Sequence, residues 1–380
     1  MTTVTYPFTI PNRLLYKKQI NPGDVHALMG KPMLIEDFRA YLNRVITSRC
    51  PKDYRSNPSS LEVSFDNGYM LARVEGVNHL VTTVAASQLA SSILPTRFWR
   101  GLKELTGLSK TGAALGTKVW AEFAASHKGV MRDHRLRTIR SRVSESNVQP
   151  VLRSVHSLDY STYGDLEFID DLMQHSGEFN TMPVVSAHLM DNVMRVRVVA
   201  LDTVQAVLGS MNPDMISNQP IPMLEVWNSE TGCRRTGIRA GLFVLRDNLS
   251  LGHWDDRSEA TWIHRGDPGR ISKAVRVAVA ESLERAKEVI DAYLKADQIT
   301  IEDPERWIRD YLKGNATEEV IQTTVDALGG GETLKDAVQA VSKAANSIPD
   351  LLAQEEVERN ASKMLAAGIK QATNNVIGAK

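Results

Sequence analysis

Cysteine is nearly absent: only Cys50 and Cys233 occur in 380 residues. Two thiols so far apart give neither a disulfide framework nor a zinc-finger spacing, and they suit a reducing, cytoplasmic compartment. Long apolar runs are missing too. Nothing approaches the roughly 18 residues of a membrane span. The opening MTTVTYPFTIPNRLLYKK has no basic region followed by an apolar one, so neither anchor nor secretory leader is expected. Net charge is also lacking, since 45 Lys and Arg balance 45 Asp and Glu. Any attraction to a polyanion must therefore come from uneven placement of charge. With 42% apolar and 24% charged residues, a sizeable core is available and global disorder is excluded.

Catalytic signatures are equally scarce. Gly329-Gly330-Gly331 is followed by no Lys-Ser or Lys-Thr, so it reads as a helix-breaking linker and not a phosphate loop. There is no His-Glu-x-x-His and no Gly-x-Ser-x-Gly elbow. His253, Asp255, Asp256 and His264 lie close together in sequence, but two acids in an exposed turn with locally hydrogen-bonded histidines account for them. No catalytic residue, metal or cofactor is expected, and binding is the class that remains.

What is present is concentrated between Ile221 and Gly266. Ile238, Leu242 and Val244 share one parity while Gly241, Phe243 and Leu245 share the other, as in a strand covered on both faces. Asp247-Asn248 supplies a turn to a returning strand, Leu249 to Trp254, and Asn228 to Gly232 another turn after Met223 to Trp227.

Two hairpins flank this stretch. Asn67-Gly68 closes one over Leu61 to Val74, setting Phe65 opposite Met70, Val63 opposite Ala72, Leu61 opposite Val74 and Glu62 opposite Arg73. Asp191-Asn192 closes the other over Val184 to Val199, setting Val185 opposite Val198, Ala187 opposite Val196 and Leu189 opposite Met194. Its other face, with Ser186, His188, Arg195 and Arg197, is polar and basic.

Helical spacing marks Ile35 to Arg49, His79 to Leu94, a segment begun by Pro95, Gly116 to Ser126, Gly164 to His175 and Pro268 to Leu294. Pro51 to Ser60 reads as a loop, and strands are expected within Lys128 to Arg142 and over Val151 to His156. Helix starts at Asp303-Pro304 and Thr317 divide a helical tail with further pieces over Thr333 to Asn346 and Asp350 to Gly368. The fold class is α+β: a mostly antiparallel sheet with helices on one face, plus a helical C-terminal extension. The expected division is residues 1–60 as N-terminal arm and helix, 61–296 as α+β core, and 297–380 as the extension.

The order Asn228-Ser229, Gly241-Leu242-Phe243, Asp247-Asn248, then His264-Arg265-Gly266 ahead of a long helix resembles a phage and plasmid family known as domain of unknown function 932. The likeness runs from about Ser87 to Ile290. Members carry Cys-Ser-Asn-Gly-Leu where this chain has Arg246-Asp247-Asn248-Leu249. The resemblance implies a phage or mobile-element protein, similar to single-strand annealing proteins that act in recombination or replication.

Charge distribution points to the same class of ligand. Lys128 to Arg142 holds six bases and one acid, whereas Glu281 to Lys380 holds 18 acids and 12 bases. Arg132, Arg135, Arg137, Arg140, Arg142, Arg195, Arg197, Arg234, Arg235, Arg239 and Arg265 fall on expected strands or their loops, with Trp254 and Trp262 among them. Arginines neutralise phosphates and flat rings stack on unpaired bases, so these residues are the candidate site for single-stranded nucleic acid. A homo-oligomer without a membrane partner is expected. The alternative is a structural or assembly protein that oligomerises through its proline-rich arm and alanine-rich tail.

Overall fold

The computed structural model describes residues 34–378 except 67–68, 145–146, 162, 176, 181, 190–192, 201–218, 245–248, 254–259, 264–267, 315 and 349–350. The expected arm, the three dipeptide turns at 67–68, 191–192 and 247–248, and residues Asp255, Asp256 and His264 lie outside them.

The chain is α+β, but the one expected sheet is two. Strands β1 (Lys52–Ser56), β2 (Glu62–Asp66), β3 (Tyr69–Val74), β4 (Val77–Val81), β5 (His134–Ser144) and β6 (Asn147–Ser157) form the first, in the order β1-β5-β6-β4-β3-β2. Only the β4–β6 pair is parallel. The second holds β7 (Val184–Leu189), β8 (Met194–Val199), β9 (Pro220–Asn228), β10 (Thr236–Val244) and β11 (Leu249–Gly252), in the order β11-β10-β9-β8-β7, with β12 (Ala260–Trp262) also on β10.

The β2–β3 register is as expected, with Glu62↔Arg73, Val63↔Ala72 and Phe65↔Met70. In β7–β8, Ala187↔Val196 and Leu189↔Met194 hold, but an irregularity between Val184 and Ser186 pairs Val198 with Val184 and not with Val185. Residues 79–81 belong to strand β4, where helical spacing suggests the start of a helix over His79 to Leu94. Glu75 (φ 49°) and Gly76 (φ 75°) make a two-residue reversal of the type that continues a hairpin. The helix α2 (Thr83–Ile93) starts only after Thr82, whose hydroxyl accepts from Ala85 N–H at 3.1 Å. Pro51 to Ser60 likewise contains β1, paired with β5.

Helices α2, α3 (Thr96–Leu108) and α4 (Lys110–Ser126) cover one face of the first sheet around Phe65, Leu89, Trp120 and Leu152. Helices α1 (Ile35–Arg49), α5 (Asp165–His175) and the short α6 (Gly177–Asn180) pack on the second sheet, with Phe38, Leu42, Phe168 and Val196 in one core. The long α7 (Pro268–Ala296) belongs to that core through Val275 and Val279. Its distal half joins α8 (Pro304–Leu312), α9 (Glu318–Leu328), α10 (Leu334–Asn346) and α11 (Leu351–Gly378) around Leu242, Leu251, Val338 and Met364. The expected divisions at 60 and 296 thus run through packed cores: α1 seals one, and the tail seals another.

Strand β10, between β9 and β11, is buried along its whole length. Gly237 is there because a Cβ would lie 2.4 Å from the buried Trp227 ring. Gly237→Ala is expected to cost about 1–3 kcal/mol by overpacking, read from urea unfolding. A loss below the error of the fit would show that the ring relocates freely.

Candidate nucleic-acid interface

The arginines expected on an open sheet face are enclosed. Arg195 and Arg197 alternate on β8, so both point to the face opposite Val196. That face is roofed by α11. Glu225 of β9 accepts from Arg195 Nη2 at 2.5 Å, Arg197 Nε at 2.8 Å and Arg239 Nη2 at 2.9 Å. Glu358 of α11 accepts from Arg195 at 2.9 Å and also from Arg197, whose Nη1 donates to Ser250 Oγ at 3.1 Å. Beside them Arg234 stacks over Trp227 at 4.7 Å and pairs with Glu355. Burial works against ionising Glu225, but Arg195, Arg239 and Arg197 outweigh it and hold the carboxyl well below the usual range.

Arg195, Arg197 and Arg239 are therefore no phosphate contacts. Their side chains are 2–7% exposed, and their charge is spent on two carboxylates. The physical reason is that a polar face on a strand signals solvent only when nothing else covers it, and α11 brings its own acids.

A second internal cluster joins the two sheets. Glu230, in the β9–β10 turn, pairs with Arg153 of β6 and with Arg137 of β5, the latter at 3.4 Å, and Arg137 also donates to Asp53 at 3.0 Å. Glu230 Oε1 accepts the backbone N–H of Asp165 at 2.8 Å, and Asp165 Oδ1 accepts from Asn228 at 2.9 Å. Burial, then the Glu230 charge, pushes the Asp165 carboxyl up to about 8, against the pull of Arg153, the Asn228 hydrogen bond and Arg49.

Below pH ~4 both folded and unfolded chains hold the Asp165 proton, whereas between ~4 and ~8 only the folded chain does, so stability falls as pH rises across that window. Asp165→Asn is expected to flatten that part of the stability–pH curve in chemical denaturation. An unchanged slope would place the titration elsewhere.

The other expected site residues are scattered. Arg135 donates to the Tyr160 carbonyl at 3.0 Å. Trp262 is half-buried against the second-sheet core. Arg132, Arg140 and Arg235 are exposed. Trp254, Arg265 and the Arg142 side chain lie outside the described residues. His253 sits 3.3 Å from Glu288, and no group of three His, Cys, Asp or Glu among the described residues could hold a metal.

The free cations lie elsewhere, on α3 and α4. These helices pack antiparallel: Phe98 meets Phe123 with centroids 4.8 Å apart, Trp99 meets Trp120 edge-on at 6.2 Å, and Thr106 lies against Gly116, where a Cβ would come within 2.0 Å of it. With Trp99, Leu102, Ala113 and Trp120 turned inward, the outer surface carries Arg97, Arg100, Lys110 and Lys118. Lys128 and Arg132 continue it toward β5.

Residues 97–132 hold seven bases (with Lys103, which lies 5.5 Å over Trp99) and two acids, Glu104 and Glu122, a local charge of +5. Among the described residues Arg97, Arg100, Lys110, Lys118, Lys128 and Arg132 make no ion pair. Phe98 is 43% exposed between Arg97 and Arg100.

No protein-family model, curated protein or solved structure matches the chain. The site therefore stands on its own geometry. Of the residues expected from sequence, it keeps Arg132 and gains Arg97, Phe98, Arg100, Lys110 and Lys118. The signal that finds them is the charge sum over the helices: reading only strands for basic residues starts the count at Lys128, after most of them have passed.

Proposed function

We propose that the chain is a cofactor-free protein that binds single-stranded nucleic acid through the outer surface of the α3–α4 hairpin. The observation that carries this reading is the contrast in pairing. The described sheet arginines are mostly consumed by buried or half-buried partners, whereas Arg97, Arg100, Lys110 and Lys118 face solvent with no ion pair among the described residues. Four such cations on the helices, with Lys128 and Arg132 in the segment after α4, can each neutralise a phosphate and release a counterion. The exposed Phe98 ring among them can stack only on a base that is not already stacked in a duplex, which favours single strands.

The assembly reading draws no support from the tail. Its apolar stripe, Val357, Ala361, Met364 and Leu365, is buried in its own chain. Action in recombination or replication, as the resemblance above implies, belongs to the same proposal.

Fluorescence anisotropy of nuclease-treated protein with labelled oligonucleotides tests it. Single strands are expected to bind more tightly than the same sequence as duplex, and Phe98→Ala to weaken single-strand binding by about 1–3 kcal/mol with the salt dependence unchanged. Equal affinity for both forms, or a silent Phe98 change, would remove the single-strand preference.

A further inference from the structure

Val130 is the most exposed large apolar side chain among the described residues, at 80%. An isolated surface valine means little by itself. This one stands on a built tip between α4 and β5. Lys128 N–H donates to the Ala125 carbonyl at 3.2 Å and Val130 N–H to the His127 carbonyl at 3.1 Å, while Gly129 takes the left-handed turn between them at φ 85°. The next residue, Met131, packs on the first-sheet core, and its carbonyl accepts from Asn57 Nδ2 at 2.7 Å. The backbone on both sides of Val130 is tied down, and its side chain is held out in water.

Cations flank it. Lys128 and Arg132 are exposed and make no ion pair among the described residues, and the adjacent acid, Asp133, is paired with Arg55 at 2.9 Å. Phe98 belongs to the same end of the α3–α4 hairpin. Its ring meets Phe123, whose carbonyl accepts from His127 Nδ1 at 2.8 Å, and His127 opens the tip one helical turn, ~5.4 Å, further along. Where α3 begins and α4 ends, two exposed apolar groups therefore lie among unpaired cations: Phe98 between Arg97 and Arg100, and Val130 between Lys128 and Arg132.

The two groups differ in shape, and so in what they can do to a strand. A flat ring lies along the face of a base, whereas an aliphatic group on a fixed backbone enters between two bases and parts them. We propose that the Lys128–Arg132 tip is a wedge: Val130 inserts between neighbouring bases of the strand that Phe98 holds, with Lys128 and Arg132 on the phosphates to either side. This rests on the single-strand surface proposed above and adds what that surface does to its ligand. A strand whose bases stack on one another, such as oligoadenylate, is unstacked as it binds.

A short oligoadenylate carrying 2-aminopurine at several positions, whose fluorescence is quenched by stacking, tests the wedge with the full chain. Binding is expected to raise the fluorescence. Val130→Ser should remove the rise and weaken binding about tenfold, the low end of one base contact, with the salt slope and the melting transition retained, since neither a cation nor a core contact is lost. Val130→Leu should keep the rise. Binding by the wild type without a rise, a rise that survives Val130→Ser, or one that Val130→Leu abolishes as fully would overturn the wedge and leave the α3–α4 surface standing. No binding of the oligonucleotide by the wild type would overturn both.

Discussion

Glu225→Gln is expected to destabilise the protein by about 3–5 kcal/mol, because it removes the carboxylate that buried Arg195, Arg197 and Arg239 share, leaving Glu358 paired to Arg195 and Arg197. The carboxamide is nearly isosteric, so packing changes little and the loss reports the charge. The cost arises from breaking the cluster and not from lacking it: replacing buried ion pairs by apolar groups of similar volume is often neutral. Glu225→Gln combined with Arg239→Met should therefore be less destabilised than the sum of the two single changes, measured by urea unfolding of all three variants. Strict additivity would mean that the two side chains do not act as a unit. The held-down carboxyls of Glu225 and Glu358 also add stability that is present above their usual range and lost as pH falls below it, so acid unfolding of the wild type should begin below pH ~4.

The larger expected effect on binding belongs to the proposed helical surface. Arg97→Ala, Arg100→Ala, Lys110→Ala and Lys118→Ala combined should lower the slope of log affinity against log salt by about 2.8, at roughly 0.7 for each phosphate neutralised on a single strand. All four positions are exposed and none makes an ion pair among the described residues, so thermal stability should move little. The same substitutions at Arg195 and Arg197 are expected to do the opposite, unfolding the protein before any change in salt slope can be read. An unchanged slope in the four-fold variant would show that the cations meet no phosphates.

Local signals in the chain were easy to read and long-range ones were not. The β2–β3 hairpin was legible because turn dipeptide, alternation and the Glu62–Arg73 pair all agree, and that pair lies 3.3 Å apart in the fold. Helix starts were legible where a side chain caps them, as Asp303 does for α8, Thr317 for α9 and Thr333 with Asp336 for α10. The Glu75-Gly76 reversal is not legible because the segment after it, Val77 to Val81, does not alternate apolar and polar residues, although Val74 before it ends an expected strand.

The arginine face failed for a deeper reason. Alternation predicts that Arg195 and Arg197 share a face, which they do, but says nothing about what lies above it. The acids that close over them are 28–30 residues away at Glu225 and 161–163 away at Glu358. Partition into two sheets is illegible for the same reason, since strand partners such as β1 and β5 are set by contacts more than 70 residues apart. Charge placement in turn was legible only once helices and strands were counted alike.

Photo-cross-linking of a single-stranded oligonucleotide to the full chain, with the adducts mapped by mass spectrometry, bears most directly on where nucleic acid is held. Adducts are expected on peptides spanning 97–132, with Phe98 among the modified residues, and to disappear in the four-fold alanine variant. Adducts confined to the β8, β9 and β10 peptides that carry Arg195, Arg197 and Arg239 would contradict it.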